Sequence, residues 1–554
     1  MAHNFCKILG FVLLLNACGV KKSLQDLPDV SNYEQTIPER QQISDFSFTT
    51  NNGLLTKNKY GQWELYVSGD PYQMGMQIGG LEKELMVVQE HALLGKVAEI
   101  VPSKSKQFML RKVLAWYNRK MHLHVPEEYK SEILGVSKYA GDTYDYFADD
   151  YLRILYFHSA HDIGHALKDL ALVGCSSFAA WGDKTEDGSL IIGRNFDFYA
   201  GDEFSQNKVI AFIKPTNGYN FMSVTWPGMI GVVSGMNDQG LTVTINAGKS
   251  DVPMLAKTPI SILTREILQY ASNIDEAIAI AKKRQVFVSE SILIGSANDN
   301  RAITIEVSPN NFGVYTVENS NQLICSNHFQ SEAYADDKNN LKQIAESHSQ
   351  YRFERMQELL SETPKLTVEK AISILRNKEG LDNKTIGYGN EKALNQLLAH
   401  HGVVFKPEEG LVWVSASPYQ LGAFVAYDLN EIFKNAPSQK PIKTLHNEAI
   451  TIEADPFQFT QEYLNYEKYR ILSRKVSQAI LNENHIEPDV LDELISSNPN
   501  YWKAYYLVGK YYYKHQYYTA ALQAFKKAQT KEIATVPDKE DIENHIKKIQ
   551  RKLK

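Results

Sequence analysis

Gly174-Cys175-Ser176-Ser177-Phe178 opens a run that closes with Asp187-Gly188-Ser189-Leu190-Ile191-Ile192-Gly193-Arg194-Asn195-Phe196-Asp197-Phe198. The first piece predicts a strand that starts abruptly at a cysteine. Asp187-Gly188 is a turn signal, and the apolar run after it predicts a second strand. A hairpin of that kind carries Arg194 and Asp197 back beside Cys175. An arginine favours thiolate, and an aspartate orients a nearby amine. Read from the residues alone, the pattern also fits a buried structural cysteine with a surface Arg–Asp pair.

The style of the chain changes at this point. Downstream, runs rich in Val, Ile, Phe and Thr at 175–182, 189–196, 207–214, 219–226, 230–236 and 241–247 are broken by Asn217-Gly218 and Gln239-Gly240. Helices are expected near 259–271 and 274–284, strands at 290–297, 302–308 and 312–318, a helical zone over 338–400, and strands near 411–416 and 422–428. Blocks of strands between blocks of helices point to stacked sheets flanked by helical layers, an α+β architecture. Upstream, 62–69 reads as a strand, 72–100 as a helix and 104–170 as mostly helical.

Further pieces stand in a fixed order around the hairpin. They are Ser68-Gly69-Asp70-Pro71-Tyr72-Gln73-Met74-Gly75 with Gly79; Met236-Asn237-Asp238-Gln239-Gly240-Leu241 with Ile245-Asn246; Ile324-Cys325-Ser326-Asn327-His328; and Ser349-Gln350-Tyr351-Arg352-Phe353. Together with the hairpin, over about 60–430, they resemble the N-terminal nucleophile (Ntn) cysteine hydrolases of the choloylglycine hydrolase and penicillin acyltransferase-like type. The resemblance implies a four-layer αββα sandwich and self-cleavage between Gly174 and Cys175, with the two chains staying associated. It implies Cys175, Arg194, Asp197, Asn246, Asn327 and Arg352 as the catalytic set, with His328 and Asn195 as substrate-binding candidates. A papain-type thiol protease fits poorly, because Cys175 opens a strand rather than a helix.

The chemistry suits these residue types. A thiol has a reference pKa of about 8.5 and an α-amine about 7.7–8.0. A cysteine freed at its N-terminus owns both groups, so the amine takes the thiol proton and no histidine is needed. The thiolate attacks an amide carbonyl and forms an acyl-thioester. Asn246 and a backbone N–H are the expected oxyanion donors. Asn327 and Arg352 would hold the amine or the polar end of the substrate. The expected reaction is cleavage of C–N amide bonds other than peptide bonds, in small N-acylated amines or amino acids, with no cofactor and no metal. An acyltransferase is the first alternative. The second is an inactive Ntn domain on a lipoprotein that serves as a binding protein.

The rest of the 554 residues frames that domain. Residues 1–17 read as a signal peptide, with Lys7 before the apolar stretch Ile8 to Leu15. Leu15-Asn16-Ala17-Cys18 resembles a lipobox, although Asn16 replaces the usual small residue. Cys18 would then carry lipid and tether the protein to a bacterial membrane, facing the periplasm. The expected division is a linker over 18–58, a mostly helical pro-region over 59–174, the Ntn core over 175–430, a linker with helices over 431–497, and a tetratricopeptide-like pair over 498–554. Tyr505, Gly509, Ala521, Phe525 and Ala528 place small residues where two helices cross, and a generic helical hairpin fits them too. Such a tail could hold a protein partner.

Of four cysteines, Cys175 and Cys325 remain in the mature chain and are able to pair. His158, His161 and His165, with Asp162, have a spacing that suits zinc, and suits a buried polar helix face better. His400-His401 reads as loop or core histidine. With 59 Lys and Arg against 65 Asp and Glu, the net charge of −6 carries no basic excess for nucleic acid. Apolar residues at 43% exclude a mainly disordered chain.

Overall fold

Along Leu241–Ala247 the side chains alternate. Leu241, Val243 and Ile245 join one apolar core with helices, while Thr242, Thr244 and Asn246 face the other way and are equally buried. A strand buried on both faces lies between two layers. The same period of two runs through His401–Lys406, where Val403 and Phe405 join the core between the sheets and Val404 joins a third core beneath helices.

The computed structural model describes residues 20–101, 103–159, 162, 172–199, 201–251, 255–435 and 444–554. One sheet of eleven strands and one of seven make the inner layers, and a two-stranded ribbon joins Leu172–Val173 to Phe198–Tyr199. Leu54, Tyr66, Ile192, Phe212, Phe405 and Val414 pack between the two sheets. Outside the larger sheet lie helices Pro71–Ile100, Glu127–Ser137, Ile260–Tyr270 and Ile274–Lys283. Outside the smaller sheet lie Ser349–Ser361 and Val368–Leu375. This is the αββα sandwich. Among the described residues no helix is long and apolar enough to cross a membrane.

The structure corrects the expected divisions in four places. Residues 18–58 are no simple linker: Gln41–Ser44, Ser47–Thr50 and Gly53–Lys57 form one edge of the larger sheet. The pro-region is built into the sandwich, since Trp63–Gly69 pairs in parallel with Val209–Pro215 near the middle of that sheet. The helical zone after 338 ends at Leu375, and 376–400 is a loop that leads into strand His401–Lys406. Strand Asn447–Ile452, inside the expected linker of 431–497, closes the edge of the smaller sheet.

The C-terminal region is helical. Gln461–Asn482, Pro488–Ser497, Trp502–Lys514, Tyr518–Gln529 and Val536–Lys552 share a core that includes Tyr469, Trp502 and Phe525. A Cβ at Gly509 would stand 3.0 Å from the Phe525 ring, so a small residue sits where these two helices cross.

Candidate active site

Strand Ser176–Ala180 pairs antiparallel with Ile191–Phe196, which sets Ser176 opposite Asn195. Beyond it Val173 pairs with Phe198, and Gly174 N–H donates to the Asp197 carbonyl at 3.2 Å. The Gly174–Cys175 bond is therefore bracketed by ladder on both sides. The hairpin read from the sequence is present, and it brings Cys175, Arg194 and Asp197 together.

The Arg194 guanidinium lies between the sheets. It donates to Val233 O at 2.8 Å, to Ile245 O at 2.5 Å and to Ser234 Oγ, and Nη2 lies 3.7 Å from Cys175 Sγ. Its flat face rests on Phe196. Burial pushes the Cys175 thiol up, and the Arg194 charge works against that shift. Asp197 is fully buried; the Gln420 side-chain amide lies against its carboxylate, and no charged donor among the described residues is hydrogen-bonded to it. Burial raises it to about 8, although Arg352 and Arg194 pull it down.

Arg352 stands on helix Ser349–Ser361, behind the nucleophile. Nη1 donates to Cys175 O at 2.5 Å and to Ser176 Oγ at 2.8 Å, and Nη2 donates to Asn327 Oδ1 at 2.5 Å. The Asn327 amide in turn donates to Ala247 O at 2.9 Å. Asn246 Nδ2 donates to Cys325 O at 3.1 Å, and Ser177 Oγ–H donates to Asn246 Oδ1 at 2.8 Å. The serine fixes which end of the amide faces the site. Arg194, Asp197 and Arg352 thus lie around Cys175, Asn327 is joined to it through Arg352, and Asn246 stands between Ser177 and Cys325.

Two expected substrate contacts are placed otherwise. Asn195 neighbours Arg194 on a strand, so it points to the opposite face. There Nδ2 donates to Leu375 O and Leu394 O, both at 2.9 Å, and ties down a loop. His328 shares a hydrogen bond with Ser349 Oγ and packs on Phe353, a position that supports Asn327 from behind. Burial holds it down to about 4.

Sequence reasoning missed His348, Ser349, Ser177, Ser234 and His401. Arg352 donates to His348 Nδ1 at 3.2 Å, so that nitrogen is an acceptor and the imidazole is neutral. His401 shares a hydrogen bond with Ser234 Oγ at 2.8 Å, just behind Arg194. Its place on an inner strand was the available signal, but the sequence reading left loop and core histidine both open and assigned no strand there.

Cys175 and Cys325 are both free thiols. His158 accepts from Ile230 N–H at Nε2 and bonds Ile154 O through Nδ1, so neither nitrogen is left for zinc. His161, His165 and Cys18 lie outside the described residues.

The sandwich and the cysteine that opens one of its strands define an Ntn-hydrolase-like core. Residues 184–417 match the family described as acyl-coenzyme A:6-aminopenicillanic acid acyl-transferase. An uncharacterized protein of Archaeoglobus fulgidus is 28% identical over 286 residues, 47% of this chain and 46% of its own length. Protein dcd1B of Dictyostelium discoideum is 24% identical over 291 residues, 48% of this chain and 54% of its own. The chain spans about half the length of the curated relatives it matches. Among solved structures, the Caenorhabditis elegans ortholog of N-acylethanolamine-hydrolyzing acid amidase is 17% identical with a TM-score of 0.31, covering 42% of this chain and 93% of that one. A mutant conjugated bile acid hydrolase from Clostridium perfringens is 15% identical with a TM-score of 0.32, covering 46% and 93%.

Proposed function

We propose that this chain is a self-cleaving Ntn cysteine amidase that breaks the amide bond of small N-acylated amines or amino acids through an acyl-thioester on Cys175. The observation that carries the reading is the pairing of Cys175 Sγ with Arg194 next to a fully buried carboxylate, Asp197, that faces the neutral Gln420 amide and has no charged donor hydrogen-bonded to it among the described residues. An α-ammonium released at Cys175 is the cation such a carboxylate lacks.

Once freed, the amine takes the thiol proton, helped by the Arg194 charge, which favours thiolate. Asp197 holds the resulting ammonium. The sulfur attacks the substrate carbonyl, and the C–N bond breaks as the ammonium proton passes to the leaving amine. Asn246, its Oδ1 held by Ser177, turns Nδ2–H toward the developing oxyanion. Water then attacks the thioester and releases the acid. Asn327 and Arg352 keep the nucleophile's backbone in place.

The acyltransferase alternative shares every step up to the thioester and differs in using an amine in place of water; the name of the matched family favours it as the second reading. The lipid anchor on Cys18 and a periplasm-facing location belong to the same proposal. Globomycin-sensitive processing with labelling by a fatty-acid probe tests them.

The primary test is the intact mass and N-terminal sequence of the signal-free protein beside Cys175→Ala. Two chains, one starting at Cys175 and in the wild type alone, are expected. Turnover of a panel of N-acyl amino acids, lost in Cys175→Ala, should follow. A cleaved Cys175→Ala chain would remove the cysteine from the mechanism.

A further inference from the structure

A side chain at position 174 would meet the amide of Gln396. A Cβ built there would stand 2.6 Å from Nε2 of Gln396 and 3.3 Å from its Cδ and Oε1. Glycine lets this glutamine press against the residue whose carbonyl is the scissile one. Gln396 is 3% exposed, and its Nε2 has no hydrogen-bond partner among the described residues. A buried amide N–H with no acceptor is destabilising and rare. Its position against the residue before the nucleophile gives it a use.

The loop that carries Gln396 is clamped from two sides. From the core, Asn195 donates to Leu394 O. From the C-terminal helices, Tyr466 O–H donates to Leu397 O at 3.1 Å, and the Leu397 side chain is buried in the helices' own core. Leu397 has a φ of 52°, a left-handed conformation that a leucine adopts only when its surroundings impose it. The family match ends at 417, so the second clamp lies outside the matched domain. Asn246 Nδ2 gives one of its two N–H groups to Cys325 O, which leaves the other for the substrate oxyanion.

Resting on the self-cleavage reading above, we propose that Gln396 donates Nε2–H to the Gly174 carbonyl oxygen as it becomes an oxyanion, and that the C-terminal helices hold it there. In that step the Cys175 sulfur bonds to the Gly174 carbonyl carbon, and the oxygen takes the negative charge. The bond from that carbon to the Cys175 nitrogen then breaks, and the thiol proton ends on the freed amine. Water hydrolyses the thioester, leaving a Gly174 carboxylate and a Cys175 with free thiol and free amine. Gln396 serves maturation, and Asn246 serves turnover.

The test follows the uncleaved fraction of freshly made full-length chain by intact mass. Gln396→Ala should slow cleavage about 10²–10³-fold, the usual effect of losing one oxyanion donor, with an unchanged thermal midpoint. Gln396→Glu keeps the shape but donates only when neutral, so its rate relative to wild type should rise as the pH falls. Tyr466→Phe, which has no contact with the cysteine, should slow cleavage several-fold. A Gln396→Ala chain that folds and cleaves at the wild-type rate overturns the proposal. If that variant does not fold, a pH-independent Gln396→Glu ratio overturns it instead. An unaltered rate in Tyr466→Phe overturns the part given to the helices. A wild type that stays whole sinks the self-cleavage reading as well; a wild type that cleaves beside equal variants sinks this inference alone.

Discussion

Asp197 holds its carboxylate in the interior with no charged donor hydrogen-bonded to it among the described residues, and burial lifts its pKa from 3.8 to about 8. The folded precursor therefore keeps a proton that the unfolded chain releases near 3.8. The contribution of this group to stability is full below the unfolded value and is lost as the pH rises through the folded one. Asn in its place cannot ionise. In the uncleavable Cys175→Ala background, the thermal midpoint of Asp197→Asn relative to its parent should therefore rise between about pH 6 and about pH 8.5. Measuring the difference removes the other buried groups, Lys208 among them, which is held down to about 7 and works in the opposite direction above that pH. An equal difference at both pH values would mean that Asp197 is already ionised in the precursor. At this scale the sequence was legible where residues carry the chemistry. Cys175, Arg194 and Asp197 were found because a hairpin must bring them together. Asn195 was misplaced because neighbours on a strand face opposite ways, and the motif was read without that alternation.

At the scale of elements, the pro-region and the core are joined by backbone contact and by buried charge. Helix Pro71–Ile100 crosses Glu127–Ser137 so closely that a Cβ on Gly75 would lie 2.0 Å from Glu132 O. That contact accounts for the glycine after Pro71-Tyr72. On the far side of the same helix pair, Glu132 Oε2 accepts from Arg265 Nη2 at 3.1 Å, both side chains 1% exposed. Arg265 belongs to the core helix Ile260–Tyr270, so this pair would bridge the two chains after cleavage. Glu132→Ala leaves a buried guanidinium without its counter-charge, and the expected loss is about 3–5 kcal/mol by denaturant unfolding. The matured form should also release its N-terminal chain at a lower denaturant concentration; a loss below about 1 kcal/mol would mark the pair as dispensable. Strands such as 241–247, where Leu, Val and Ile alternate with polar residues, and 290–296, with its run Ile292-Leu293-Ile294, were plain in the sequence. Those at 41–57 were not, because edge strands carry the Gln, Ser and Thr that also fill linkers. Strand His401–Lys406 was not seen because His400-His401 read as loop or core histidine with no strand assigned; the fold buries both as core histidines, with His401 beside Arg194 and Phe196.

For the whole molecule, the C-terminal helices are the part whose relation to the rest the sequence left open, since repeat-like spacing says how helices pack with each other and nothing about what else they cover. They are seated on the loop that passes behind the nucleophile. Tyr388 N–H donates to Asn498 Oδ1 at 3.2 Å, and Asn498 Nδ2 returns a bond to Tyr388 O at 2.7 Å. A Cβ on Gly387 would fall 2.5 Å from the Tyr501 backbone, a contact as close as any within a core. Lys392 pairs with Glu532 and Lys503 with Glu391, while Leu397 and Leu421 from the sandwich enter the helical core. Units that share apolar core and interlocked backbone unfold together, unlike domains joined by a linker. The uncleaved Cys175→Ala chain should therefore show one calorimetric transition. Removal of 461–554 should expose Tyr388, Leu397, Tyr419 and Leu421 and yield an aggregating or strongly destabilised protein. Two separated transitions, or a truncated chain with an unchanged midpoint, would make the helices an independent appendage and leave the strained Leu397 without the clamp that accounts for it.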